Sequence, residues 1–255
     1  MAYMERLRNV GSSVVYHNGL GILRLLDGQI FFPPHQFFYI DSSNQAALQR
    51  LNGRTARDIS DKTGIFFDEE KSVFHVKSLG KCVAVSYPDF RCFPYETVKT
   101  ELQTGENGDC LTAPEDGMKE WHLLTILHYM DLADGTPTGK NVITLSQMKN
   151  GMVRGGGFDR QCEQIIGQKI GNRMDTEVQN ACKKMGAELI PSNADICAVF
   201  PFLPLCPVIL KIWFADEEIP GSGRMLFNET ADHFLTIEDA VTVGTVLLEE
   251  LVARL

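Results

Sequence analysis

The sequence predicts an α+β fold in which mostly antiparallel sheet forms two meander blocks and the helices are segregated from them. Strand-like segments cluster in two parts of the chain, and no regular alternation of strand and helix, the sign of a parallel sheet, connects them. The chain has 255 residues, of which 44% are hydrophobic, enough to bury one extended core. We therefore expect a single domain over residues 1–255.

The first strand block lies in the N-terminal part of the chain. Residues 13–40 are rich in β-branched and aromatic residues interrupted by Gly and Pro, which predicts short strands and turns. Apolar residues recur at roughly helical intervals in 44–62 and are interrupted at Gly53, which predicts two short helices. From Ile65 to Pro94 apolar and polar residues alternate, which predicts a meander of antiparallel strands.

The middle of the chain is predicted to be helical. Residues 99–119 are polar and glycine-rich, and we expect them to form a mobile connector. Apolar residues at helical spacing then predict a helix over 120–132, which the Asp-Gly-Thr-Pro segment 134–137 ends. Further helices are predicted at 158–170 and 175–186.

The second strand block precedes a last helix. Its strands are predicted around 195–200, 207–214 and 224–227. The last helix is predicted from Ile237 to about Ala253, and Thr236 with Asp239 resembles a capping box at its start. Asp175 is predicted to cap the helix at 175–186.

Composition excludes several classes of partner. A net charge of −9 lacks the basic excess that phosphate backbones and anionic membrane surfaces require, so we expect neither nucleic-acid nor membrane binding. The longest apolar run, 196–214, is interrupted by three prolines and predicts strands instead of a membrane span. Seven scattered cysteines and the lack of a signal peptide predict a cytoplasmic protein whose cysteines are mostly buried apolar residues.

Several weak motifs occur in a fixed order in the C-terminal four fifths of the chain. They are Leu127–Met130, Ala133–Lys140, Trp213 with Asp216–Pro220, Leu226–Phe227 and Thr236–Asp239. In sequence, order and spacing they resemble the domain-of-unknown-function family numbered 3786. The resemblance covers about residues 50–255, and residues 1–45 are interpreted as a β-rich elaboration of this branch.

The resemblance implies a setting and no defined activity. The chain is similar to proteins of anaerobic bacteria and archaea that are found together with corrinoid, methyl-transfer and iron–sulfur metabolism. It therefore implies a corrinoid or related tetrapyrrole as a candidate cofactor and a protein of that metabolism as a candidate partner. Some relatives carry an added cysteine-rich cluster segment, which this chain lacks.

A glycine-rich segment is the main candidate for ligand binding. Arg154 is followed by Gly155, Gly156 and Gly157 just before a predicted helix, and exposed N–H groups at such a helix start can hold a phosphate or carboxylate. Lys140, which follows a Thr-Gly pair, is a weaker candidate for binding the same kind of anionic group. The alternative for the glycines is a flexible connector, since the spacing matches neither the Walker nor the Rossmann motif.

His128 and an acidic turn are the candidates for chemistry. His128 lies on the helix over 120–132, where it could act as a general base or metal ligand with Asp131 orienting its ring. Asp216, Glu217 and Glu218 follow a predicted strand and could bind a divalent metal through carboxylate oxygens. The alternatives are a hydrogen-bonded core histidine and a solvated acidic turn.

Three functional hypotheses follow from the sequence. The first is a cytoplasmic accessory protein that binds a small anionic ligand or cofactor, with a corrinoid or tetrapyrrole as one candidate. The second is a metal-dependent enzyme that uses the acidic turn at 216–218 with His128. The third is a structural subunit of a complex, which would dock through residues 13–40.

Overall fold

The computed structural model describes four parts of the chain, residues 24–26, 29–31, 45–94 and 118–255. The connector predicted at 99–119 lies almost entirely outside them. The chain divides into two compact units, Met1–Ser43 and Asn44–Leu255. In the first, strands β1 (Arg24–Leu26) and β2 (Gln29–Phe31) pair antiparallel, within the region predicted to form short strands. A single domain over the whole chain stays a prediction.

The second unit has the predicted α+β composition. Its helices are α1 (45–51), α2 (Ala56–Thr63), α3 (Glu120–Leu132), α4 (Gly155–Ile165), α5 (Asp175–Lys184) and α6 (Ile237–Val252). A π-helical turn at Ile166–Ile170 continues α4, and 3-10 turns lie at Leu145–Gln147 and Ala231–His233. The break between α1 and α2 contains Gly53, as the periodicity predicts.

Two antiparallel sheets confirm the two predicted strand blocks. The first has the order β3-β4-β5-β6, formed by Phe66–Asp68, Val73–Ser78, Lys81–Ser86 and Cys92–Pro94. The second has the order β7-β11-β10-β9-β8, formed by Val142–Ile143, Ser222–Asn228, Cys206–Trp213, Ile196–Leu203 and Glu188–Leu189. Because β7 and β8 have two residues each, no periodicity could reveal them.

Helix α6 lies at the centre of the second unit. Eleven of its sixteen residues are buried, and it packs against α3 and α4. Gly244 makes this close packing possible, because a Cβ there would lie 2.5 Å from the Met225 sulfur and 2.6 Å from the Phe158 ring. The predicted capping box is confirmed: Thr236 Oγ1 accepts from the Asp239 N–H, and the Asp239 carboxylate accepts from the Thr236 N–H.

The predicted cap of α5 is wrong. Its N-cap residue is Met174, which makes no side-chain cap hydrogen bond. Asp175 is the first residue inside the helix, and its carboxylate accepts a hydrogen bond from Gln179 Nε2. The acid still lies in the first turn, where a negative charge is favourable beside the exposed N–H groups of the helix.

A buried ionic contact joins the first sheet to α6. Lys81 Nζ on β5 donates to Glu250 Oε1 at 2.7 Å, and Arg254 Nη1 donates to the other carboxylate oxygen. Lys81 and Glu250 are both buried. Although burial alone would raise it, the pKa of Glu250 is lowered by the hydrogen bonds from the two cations. The carboxylate is therefore held charged inside the protein.

A buried histidine lies close to this ionic contact. His122 on α3 is fully buried, and its Nε2 lies 2.8 Å from Ser78 Oγ on β4. Its ring stacks at a tilt against Phe202. Burial, and then the charge of Lys81, lower the pKa of His122 to about 4, so the ring is neutral at pH 7.

The cysteines that the structure describes fit the prediction in part. Cys162, Cys182, Cys197 and Cys206 are free and buried, and burial raises the pKa of Cys182 and of Cys206 to about 12. Cys82 on β5, in contrast, is half of a disulfide. Within the described residues, every helix is too short or too polar to cross a bilayer.

We expect acid to destabilise the fold through His122. An ordinary histidine takes up its proton near pH 6.5, whereas His122 in the folded protein does so only near pH 4. Stability should therefore be complete above pH 6.5 and fall as the pH drops towards 4, by up to about 3 kcal/mol. Urea unfolding at a series of pH values measures this loss.

The matched variant for this experiment is His122→Gln, which can hydrogen-bond Ser78 but does not titrate. Protonation of Glu250 and of other carboxylates also destabilises the protein in acid, and it does so equally in wild type and in the variant. The unfolding free energy of wild type should therefore fall more steeply with acid than that of the variant. Equal slopes would contradict the role given to His122.

Candidate functional site

An open cavity of about 510 Å³ lies where three segments of the second unit meet. They are the end of α3, the loop that leads into α4, and the 3-10 turn with the first turn of α6. The residues that line it are Leu132, Lys149, Asn150, Val153, Arg154, Asp232, Leu235, Thr236, Ile237 and Glu238. The volume falls within the range of about 300–1,000 Å³ that is common for small-molecule sites.

The loop that leads into α4 is fixed by backbone contacts. The Asp159 carboxylate on α4 accepts from the N–H groups of Leu145 and Ser146, which holds the 3-10 turn against the helix. Asn150 has a φ of 65°, a left-handed conformation that asparagine tolerates better than most residues. Arg154 then takes the N-cap position of α4 without a side-chain cap hydrogen bond.

Charged side chains of both signs surround the cavity. Arg154 Nη1 lies 3.1 Å from Glu238 Oε1, and this pair joins the α4 loop to the first turn of α6. Lys149 and Asp232 also line the cavity. Among the described residues, neither of their side chains forms an ion pair or hydrogen bond. The N-terminal end of α6, at Thr236, adds its positive dipole end to the same wall.

The three glycines after Arg154 do not form the predicted anion loop as a unit. Gly155 is buried, and a Cβ at that position would lie 2.3 Å from the Ser146 backbone. Its role is therefore to let the two segments pack closely. Gly156 and Gly157 have open space around them but do not line the cavity. Of the segment 154–157, only Arg154 does so.

His128 is paired with a different carboxylate from the one expected. Its Nδ1 lies 2.6 Å from Asp239 Oδ1, and both residues are buried. Asp131, the expected partner, instead accepts hydrogen bonds from Arg50 at the protein surface. Because an ionised carboxylate can only accept, His128 Nδ1 is the donor when Asp239 is ionised.

Asp239 therefore serves two structural elements. One carboxylate oxygen contacts His128 on α3, and the other accepts from the N–H and the hydroxyl of Thr236 at the start of α6. This single side chain fixes the ring orientation of the histidine and the first turn of the helix. Because Thr236 also lines the cavity, the contact positions one wall of the candidate site.

Lys140 lies in a well-bonded loop outside the cavity. The backbone N–H groups of Lys140 and Asn141 donate to Glu229 Oε1, and Gly139 N–H donates to Asn228 Oδ1. The side-chain amide of Asn228 donates back to the carbonyl of Gly139. The structure thus brings 139–141 against the end of β11 but does not bring Lys140 to Arg154.

The 3-10 turn at Ala231–His233 contains an oriented surface histidine. Nδ1 of His233 lies 2.8 Å from Asp134 Oδ2 and 3.0 Å from Thr136 Oγ1. Hydrogen bonds from His233, then from Thr136, lower the pKa of Asp134 to about 2. This contact fixes the segment after α3 next to the 3-10 turn that carries Asp232.

The acidic turn at Asp216, Glu217 and Glu218 is exposed. The Asp216 carboxylate accepts from the N–H groups of Glu218 and Ile219, and these two bonds lower its pKa. In the part of the chain that the structure describes, no group of three or more His, Cys, Asp or Glu residues is arranged to hold a metal ion. Metal binding at 216–218 stays a prediction.

Sequence reasoning missed three of the charged residues at the cavity. Lys149 precedes an Asn-Gly turn, Asp232 lies in a 3-10 turn, and Glu238 lies in the first turn of α6. Surface charges in such positions are common, so none is distinctive by itself. Glu238 becomes notable only through its pairing with Arg154, which is distant in sequence.

We expect Asp239→Asn to destabilise the protein and Glu238→Gln to leave its stability nearly unchanged. The first change weakens buried, charge-assisted hydrogen bonds to His128 and Thr236, at a cost of about 2 kcal/mol. The second removes an exposed carboxylate one residue earlier, where effects stay within about 0.5 kcal/mol. Urea unfolding of both variants measures the difference, and equal small effects would refute the dual role of Asp239.

Comparison with known proteins places the chain in a family. Residues 55–250 match the model of the family described as Domain of unknown function (DUF3786). The matched region contains both sheets of the second unit and all residues that line the cavity. Searches of curated proteins and of solved structures find no match. The match covers well over half of the chain and confirms the resemblance seen in the sequence, so this protein belongs to the DUF3786 family.

Proposed function

We propose that this protein binds a small ligand that carries an anionic group, and that the cavity beside Arg154 is the binding site. The observation that supports this is the presence of two cationic side chains, Lys149 and Arg154, on one wall of a cavity of suitable size. The N-terminal end of α6 lines the same cavity, and its positive dipole end also favours a negative group. The expected role is that of an accessory binding protein.

The ion pair between Arg154 and Glu238 is weak enough for a ligand to replace Glu238 as the partner of Arg154. Both side chains are more than a third exposed, so their mutual attraction is weak, on the order of 0–1 kcal/mol. A ligand carboxylate or phosphate can therefore compete with Glu238 for the guanidinium. A bidentate contact to Arg154 would favour the ligand further, because guanidinium geometry matches these groups.

A corrinoid or related tetrapyrrole is the larger ligand that the family resemblance suggests. A whole corrinoid has a larger volume than the cavity of about 510 Å³, so only an acidic side arm would enter beside Arg154. Phe227 and Phe234 are fully buried in the core and therefore present no aromatic wall to a macrocycle. A smaller ligand fits the cavity better.

The contact between His128 and Asp239 favours a second candidate function, a metal-dependent enzyme. A carboxylate that orients one ring nitrogen of histidine is common around both general bases and metal ligands. In this function the carboxylates of the acidic turn at 216–218 would bind the metal. Elemental analysis of protein purified without chelator, repeated on Glu217→Ala and His128→Ala, decides this: metal content that neither change alters would exclude it.

The third hypothesis, a structural subunit that docks through residues 13–40, stays a prediction, because most of those residues lie outside the described part of the chain.

We expect Arg154→Ala to weaken anion binding by about tenfold, since it removes the guanidinium that contacts the ligand. The probes are acetate, inorganic phosphate and a cobalamin, measured by titration calorimetry and by the rise in melting temperature at saturating ligand. Arg57→Ala is the matched control, because Arg57 is an exposed arginine on α2 that lies 3.9 Å from Asp61 and does not line the cavity.

Glu238→Gln should have the opposite effect and strengthen binding of the same probe. It frees Arg154 from its competitor and removes a negative charge from the wall. The proposal would be rejected if no probe binds, or if Arg57→Ala weakens binding as much as Arg154→Ala does.

A further inference from the structure

The charges that line the cavity are balanced, and this balance restricts the kind of ligand. Lys149 and Arg154 contribute two positive charges, and Asp232 and Glu238 contribute two negative charges. Arg154 and Glu238 neutralise each other at 3.1 Å. Within the described residues, the ammonium of Lys149 and the carboxylate of Asp232 have no partner. The cavity therefore offers one unpaired charge of each sign.

Apolar residues line the same cavity as these charges. Leu235 and Ile237 are buried at the base of the cavity, with 2% and 8% of their surface exposed. Val153, which also lines the cavity, is 78% exposed, a high fraction for an apolar side chain. A ligand with a hydrocarbon part would remove this exposed apolar surface from water, which is favourable.

Each simple class of charged ligand meets an opposing group here. A polyanion such as a nucleotide would be attracted by Lys149 and Arg154 but repelled by Asp232 and Glu238. A monoanion would satisfy Lys149 and leave Asp232 unpaired beside it. A cationic amine would satisfy Asp232 and be repelled by Lys149. A ligand with one group of each sign satisfies both.

We propose that the cavity binds a zwitterion with an apolar body, of the class of apolar amino acids. This inference rests on the proposed function, because it names the ligand of the same site. The carboxylate of the ligand lies against Lys149 and Arg154, its ammonium faces Asp232, and its hydrocarbon part covers Val153, Leu235 and Ile237. Binding leaves the net charge of the site unchanged.

The test compares each zwitterion with its two singly charged analogues. Leucine is measured against 4-methylpentanoate and 3-methylbutylamine, and 6-aminohexanoate against hexanoate and hexylamine, which covers both a short and a long separation of the charges. We expect one of the two zwitterions to bind at least tenfold more tightly than either of its analogues in titration calorimetry on the full chain.

Variants assign this preference to the proposed residue. Asp232→Asn should reduce the affinity for the zwitterion to that of its carboxylate analogue, and leave the affinity for that analogue unchanged or higher. Asp61→Asn is the matched control, because Asp61 is an exposed acid on α2 away from the cavity. Lys149→Gln, at an exposed position, should weaken both the zwitterion and the carboxylate.

The outcomes separate this inference from the proposed function. If a carboxylate binds as tightly as its zwitterion and Arg154→Ala weakens it, the inference is overturned and the proposed function stands. The inference is also overturned if the zwitterion binds equally well to wild type and Asp232→Asn. If Arg154→Ala weakens the binding of none of these compounds, both the inference and the proposed function are rejected.

Discussion

Helix α6 is held at both ends by buried contacts between charged or polar groups, and α3, α4 and the first sheet contact the helix or these groups. At its start, Asp239 binds both the backbone of its own first turn and His128 on α3. Near its end, Glu250 binds Lys81 on the first sheet. Between these points most residues of the helix are apolar, and apolar packing by itself does not favour one position along the helix axis. Apolar packing supplies most of the stability, whereas the two polar contacts set how far along its axis the helix lies.

The cavity is a result of this arrangement. The contact at Asp239 places the first turn of α6 beside the loop that leads into α4, and the resulting gap is lined by residues that are distant in sequence. The side chains of that gap carry opposite charges on a partly apolar base. Such a surface is more selective than a uniformly basic one, because each unpaired charge excludes ligands that lack its counterpart.

The sequence predicted the elements of this fold well and the contacts between them poorly. Alternation and helical spacing are local properties, so the two sheets, α3 and α6 were predicted with small boundary errors, and the capping box at Thr236 was recognised from residues three apart. His128 was assigned to Asp131, which is close in sequence, whereas its partner Asp239 is 111 positions away. Lys149 and Asp232 became notable only when the fold placed them around one cavity.

The five-stranded sheet has one further property that follows from its shape. Its outer strands, β7 and β8, contain two residues each, so the sheet narrows at both borders. A long, flat border would present a row of vacant backbone donors and acceptors to any extended chain nearby. Here the outermost strands have only two residues each, Val142–Ile143 and Glu188–Leu189, so these strands themselves give an incoming chain little template for fibril-like growth.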